Sequence, residues 1–282
     1  MPLPPIQPIG IGTAAARPHQ AWTATLNNWL VDPGDTNAPV IFEPPSPLTG
    51  GINEAWIAAS GGPDWGGCQI WASLDGNTYR LVGTVYRGCI TGSSTASFPA
   101  HTSPDTGDTL SVDVSESRGQ ILSGTAADAN NLITLCWIDG ELIAYQTATL
   151  TAPHRYDLGT LIVRGAYGTP ITAHASGGRF ARINGSVFQY AFPGNLVPQT
   201  FYVKLPAFNI FGQTLQDLSV VTAYTYTTTG AGTNPLDMPV LATLAGGTTQ
   251  DWGIAGTTVI ATADLAPIGI ANGLGITLGT LS

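Results

Sequence analysis

Short apolar runs, most alternating in and out and several closed by an Asp-Gly, Asn-Gly or Pro turn, recur from residue 39 to residue 227. Side chains two apart share a face of a strand, whereas a helix groups residues three and four apart. The punctuation therefore dictates an all-β chain. Residues 53–59 put Ala55, Ile57 and Ala59 on one face, Trp56 and Ala58 on the other. Leu135-Cys136-Trp137-Ile138 and Glu141-Leu142-Ile143-Ala144-Tyr145 flank Asp139-Gly140, which supplies the positive φ angles of a type I′ hairpin turn. A second hairpin joins residues 68–73 to 79–86 across Asp75-Gly76. Composition agrees where it bears on this. Only 10% of residues are charged, against roughly 25% in an average domain, too few for the polar faces of surface helices. The 43% hydrophobic residues and 7 Trp supply a core and exclude disorder.

A net charge of −9 and a pI near 4.6 repel phosphate backbones, so no nucleic-acid partner is expected. No run of about 18 apolar residues spans a bilayer, and the N-terminus lacks the basic and apolar regions of a secretory signal. Eight of the nine basic residues are Arg, the exception being Lys204. That bias suits fixed, multidentate contacts or reflects codon usage. Cys68, Cys89 and Cys136 are too few and too scattered for a disulfide scaffold or zinc site, and their odd number leaves a free thiol. Cys136 reads as a core residue and Cys68 and Cys89 as neighbours across adjacent strands, either free or paired, in a compartment that is reducing during folding.

Five segments follow. Residues 1–38 are an extended, initially Pro-rich arm carrying Trp22 and Trp29, either docked on a neighbour or frayed. Residues 39–104 begin a β-sandwich, 105–185 form an inserted β-subdomain whose one helix is expected at 126–132, and 186–228 complete the sandwich. Two tandem β-domains are the alternative. Residues 229–282 contain no Lys, Arg, His or Glu, and 257–262 (Thr-Thr-Val-Ile-Ala-Thr) are strand-like. Such an arm or tip is an aggregation hazard alone and needs a partner, most simply the same tail of other subunits.

The chemistry of catalysis is thin. His19, His101, His154 and His174 stand singly in loops, outside any zinc-ligand spacing, and His174 reads as a residue that bonds a turn. Glu43, Glu54, Glu116 and Glu141 make no evident pair, although a glycosidase pair needs only spatial proximity. Asp105 and Asp108 suit a polar turn or, less readily, calcium. No Gly-x-Ser-x-Gly elbow occurs. Trp65, in a Gly-rich loop, either stacks on a sugar or plugs the loop onto the sandwich. A non-enzymatic protein without cofactor or metal is the expectation.

Three stretches carry a resemblance. The first runs through Pro39-Val40-Ile41-Phe42-Glu43-Pro44-Pro45, Ala55-Trp56-Ile57-Ala58-Ala59 and Trp65-Gly66-Gly67-Cys68-Gln69-Ile70-Trp71 to Tyr79-Arg80-Leu81-Val82-Gly83. The second joins Asp139-Gly140-Glu141-Leu142-Ile143-Ala144-Tyr145 to Arg164-Gly165-Ala166-Tyr167-Gly168-Thr169, with His174 and Phe180 following. The third, Tyr202-Val203-Lys204-Leu205-Pro206-Ala207-Phe208-Asn209-Ile210-Phe211-Gly212, is similar to the penultimate strand of fibronectin type III domains. Together they resemble the C-terminal region of the tail-tip, or baseplate hub, proteins of siphophages and gene transfer agents, which are usually several times longer. The third stretch implies a fibronectin type III-like sandwich, which the order of the strand groups has interrupted by the inserted β-subdomain. Asp139, Gly140, Glu141, Tyr145, Arg164, Gly165, Gly168 and Thr169 would be turn and interaction residues, the Arg164 guanidinium bonding carbonyls of the adjacent strand. The resemblance as a whole implies a virion protein at the distal end of a tail, made in the bacterial cytoplasm and trimeric about a threefold axis. Its partners would be the distal tail protein, a tail fibre and a host surface receptor. A receptor- or carbohydrate-binding module at the tip, using Trp65, is the alternative; an enzyme would depend on Glu54 or Glu141.

Overall fold

The computed structural model describes residues 28–232, 242–244 and 248–250. Strands make up 40% and helices 7%, so the chain is all-β. A three-stranded sheet joins β1 (Val40–Phe42), β2 (Glu54–Ala58) and β11 (Phe188–Ala191), with β2 in the middle. A second sheet is built on β3 (Trp65–Ser73). One edge of β3 takes β4 (Arg80–Val85); the other takes β13 (Ala207–Asn209) and β12 (Thr200–Lys204), and β14 (Ala223–Thr227) lies outside β12. The two sheets face each other over one core. Ala55, Ile57, Cys68, Ile70 and Val85 from before residue 90 pack there with Phe192, Phe201, Val203 and Leu205 from after residue 190.

Between these halves lies a closed six-stranded barrel. Its strands are β5 (Thr91–Ser94), β6 (Leu110–Asp113), β7 (Leu135–Ile138), β8 (Glu141–Ala152), β9 (Arg155–Val163) and β10 (Arg179–Arg182), ordered β10-β5-β6-β9-β8-β7. Closure leaves no free sheet edge. Phe98, Leu110, Val112, Ile138, Ile143, Tyr145, Leu158, Ile162 and Phe180 fill the interior.

Strand β2 ties the two bodies together, because both its faces are apolar. Ala55 and Ile57 enter the sandwich core, while Trp56 and Ala58 join Phe42, Cys89 and Ala181 against the barrel. Phe42 stacks on Trp137 of β7 with ring centroids 4.2 Å apart.

Several expectations need correction. The inserted body starts near residue 90, not 105, because β5 pairs with β10 and β6 and Phe98 lies in the barrel core. Thr91-Gly92-Ser93-Ser94 has no apolar alternation to announce a strand. Its Gly92 sits so close to the Asp113 carbonyl that no side chain fits. Strand β11 was not expected either. Besides helix α2 (Ala126–Asn130), capped reciprocally by Thr125 and Asp128, a second short helix, α1 (Ser46–Thr49), follows Pro45. The described ends of the arms also lie on their own sandwich. Asn209 Nδ2 donates to the carbonyls of Trp29 and Val31, and Thr36 Oγ1 donates to Leu205 O. Residues 1–27, including Trp22, and the strand expected at 257–262 lie outside the described residues. Within the tail, β15 (Ala242–Leu244) pairs with β16 (Thr248–Gln250).

All three cysteines are free and buried, and no disulfide joins Cys68 to Cys89. Cys68 faces the sandwich core and Cys89 the layer between sandwich and barrel. Burial pushes each of the three thiols up to about 12. Native protein at pH 8 is therefore expected to give no reaction with a thiol reagent such as Ellman's, and three equivalents after denaturation in guanidinium. Rapid native labelling of one cysteine would contradict the packing of that residue.

Candidate functional site

The most concentrated polar chemistry sits at one end of the barrel. Strand β8 alternates, so Glu141, Ile143 and Tyr145 point inward, and Glu141 enters an apolar interior as an ionisable side chain. A buried carboxylate survives only with partners, and this one has donors on both oxygens. Oε1 accepts from Arg164 Nε at 2.7 Å and from the Gly165 amide at 2.9 Å. Oε2 accepts from Arg164 Nη2 and His174 Nε2, both at 2.9 Å, and from the Thr172 amide at 3.3 Å. Since an ionised carboxylate only accepts, His174 carries its proton on Nε2.

The turn after β9 delivers these donors. Gly165 adopts φ 60°, the left-handed conformation that turns its amide back on Glu141, and Gly168 has φ 81°. Thr169 Oγ1 accepts from the Leu142 amide at 2.9 Å and donates to Ala166 O, stitching the turn to β8. The remaining Arg164 donors reach Pro99 O at 2.8 Å and Thr172 O at 2.9 Å, and its guanidinium lies 4.1 Å over the Phe98 ring. Arg164 thus bonds two carbonyls, and above all the Glu141 carboxylate. Glu141, Arg164 and His174 are all buried. Burial alone would raise the Glu141 carboxyl, but the hydrogen bond from His174 and those from Arg164 and Gly165 bring it down from 4.5 to about 2.

Asp105, fully buried, extends the cluster. Its Oδ1 accepts from the amides of Gly107 and Asp108 at 3.0 Å, and Oδ2 faces Arg164 Nη1 at 3.6 Å. Desolvation would raise this carboxyl too; the turn amides, His101 and Arg164 outweigh it and lower it. His101, Asp105 and Asp108 could each offer a ligand atom, all within 4.8 Å of one another. One Asp105 oxygen already holds a turn and the other faces a guanidinium, so the trio is better suited to stabilising the turn than to binding a cation.

The other singled-out residues have separate places. Asp139 (φ 39°) and Gly140 (φ 97°) form the exposed β7–β8 turn. Tyr145 is buried and donates from its hydroxyl to Leu122 O at 3.0 Å. Trp65 plugs its loop onto the sandwich: it is buried in the sandwich core, and its Nε1 donates to Thr36 Oγ1 at 3.0 Å. Glu54 accepts from Trp56 Nε1, Glu116 binds Arg179 and Thr91, and Glu43 accepts from the amides of Thr229, Gly230 and Ala231. Three arginines make the fixed contacts that their excess over lysine suggests: Arg164, Arg179 and Arg182, the last bonded to the carbonyls of Ile133, Leu135 and Ile183.

The sequence puts Glu141 at the start of a hairpin strand and among the turn and interaction residues, without naming its partners. The missed signal was parity: an acid in register with Ile143 and Tyr145 must face the core and requires buried donors.

Residues 89–181 match a protein-family model described as "Rcc01698-like, C-terminal". The matched segment covers β5 through most of β10, which is the barrel together with its charge cluster. No curated protein matches the chain.

Proposed function

We propose that this chain is a structural component of the tail tip, or baseplate hub, of a phage or phage-like particle, where it contributes to distal tail assembly and host attachment. The observation that carries this reading is the combined resemblance of the three stretches to tail-tip proteins. The second stretch contains the Arg164–Thr169 turn, whose unusual pattern is accounted for by the Glu141 anchor. A closed barrel with Glu141 and Arg164 bonded to each other in its interior, locked through β2 to a sandwich, suits a part that holds its shape under load. Low surface charge suits permanent neighbours, among them the distal tail protein and a tail fibre, and a homotrimer about a threefold axis is the assembly proposed. Among the described residues, no helix is long and apolar enough to cross a membrane. The receptor-binding alternative has lost the exposed Trp65 on which it relied.

Deleting the gene from a particle-producing strain is expected to yield tails that are absent or blunt at the distal end, with normal morphology restored by the gene in trans. Normal tails and normal adsorption in the deletion strain would overturn the proposal.

A further inference from the structure

We propose that the free edge of β4 is a docking site for an acidic, extended segment of a partner protein, which adds to the sandwich as one more strand. Among the described residues, β4 pairs only with β3, so its other edge presents unpaired backbone N–H and C=O groups. An extended chain is the partner that such groups recognise. Residues 80–84 are exposed or half-buried, and Leu81 and Tyr86 are 49% and 74% exposed. Beside this edge runs an open groove with residues 84–87 on one wall and 185–188 on the other. Phe188 leans over Gly83, where a Cβ would stand 2.2 Å from its ring.

Charge selects the occupant. The chain has 18 acidic residues and nine basic ones, yet residues 76–104 and 158–216, which supply both walls, contain no Asp or Glu. Arg155, Arg164 and Arg179 each make an ion pair of 2.7 to 2.9 Å. Arg80 and Arg87, both exposed, have no such partner among the described residues. They stand near the two ends of β4. A strand advances about 3.3 Å per residue, so carboxylates about seven residues apart on an added strand would meet both. Charge by itself would merely blunt the edge, but the exposed Leu81 and Tyr86 also offer a partner strand apolar contact.

The chain's own acidic strands do not fit the role. Among the described residues, β2, β6, β8 and β9 are the strands that carry Asp or Glu, and each is paired along both edges. The occupant is therefore another protein rather than a second copy.

The test uses the full chain and a fluorescein-labelled synthetic peptide of about ten residues, threonine and valine alternating with a glutamate near each end. Saturable binding at low salt, weakening as salt is raised, is expected, with slower amide exchange over residues 80–85. Arg80→Glu/Arg87→Glu should weaken binding about tenfold or more, while Arg80→Lys/Arg87→Lys keeps most of it. N-methylation of the peptide backbone preserves the charge but removes the ladder donors, and should abolish binding. Equal binding by the N-methylated peptide would reduce the edge to a polyanion patch and overturn the inference. No binding at low salt, or binding unchanged in the Glu variant, would overturn it equally. Self-association that the Glu variant dissolves would make a second copy the occupant, against the proposal.

Discussion

Replacing Glu141 with Ala is expected to destabilise the barrel by about 3–5 kcal/mol, the usual cost of stranding a buried charge. The Arg164 guanidinium would keep the Pro99 and Thr172 carbonyls, the Phe98 ring and Asp105 at 3.6 Å, but lose its paired carboxylate. A domain typically has about 5–15 kcal/mol in total, so the urea midpoint of the barrel should collapse. Arg164→Met should cost a similar amount, by leaving Glu141 without its two-pronged partner. The double variant Glu141→Leu/Arg164→Met should lose much less than the two single losses added together, because no charge is then left unpaired. Additive losses would mean that the two side chains do not act as a unit.

Acid should act on the same cluster. The Glu141 carboxyl is depressed from 4.5 to about 2 in the folded protein. A depressed carboxyl contributes its stability fully above the unfolded value, and loses it as pH falls through the folded one. The barrel should therefore weaken between about pH 4.5 and pH 2, by about 3 kcal/mol from this group. Asp105, also lowered, adds in the same direction. Glu141→Gln should flatten that part of the profile, and an unchanged acid limb in that variant would contradict the assignment.

Phe201→Ala is expected to cost about 3–5 kcal/mol in the sandwich. Phe201 is 3% exposed and lies against Tyr190 and Tyr226, with ring centroids 5.6 and 5.7 Å away. It comes after the barrel in sequence, yet shares a core with Ala55, Ile57, Cys68 and Ile70 from before it. Hydrogen exchange should consequently speed up over residues 54–58 and 65–73 as much as over 200–204, while β7 and β8 keep their protection. Faster exchange confined to residues 186–228 would mean that the two halves do not form one body.

What could be read from the sequence follows the range of the interactions. The hairpins at Asp75-Gly76 and Asp139-Gly140 were legible because turn chemistry and alternation are local. Residues 55–59 were legible as a strand with two apolar faces, although only the structure shows that the second face meets the barrel. Strand β5 was not legible, since Thr91-Gly92-Ser93-Ser94 is a strand only because β10 and β6 lie on either side of it. Trp65 was legible as one of two alternatives, and the one that plugs the Gly-rich loop onto the sandwich agrees with its burial in that core against Gly61. The charge cluster needed contacts 23 and 33 residues apart, from Glu141 to Arg164 and to His174. No local pattern encodes those distances, yet the inward parity of Glu141 already required them.

Gold-labelled antibody raised against residues 28–232 and applied to purified particles is the most direct test of the proposed role. Label confined to the distal end of the tail, in numbers consistent with three copies, is the predicted result. Label on the capsid or along the tail tube, or no label on particles that otherwise adsorb normally, would contradict it.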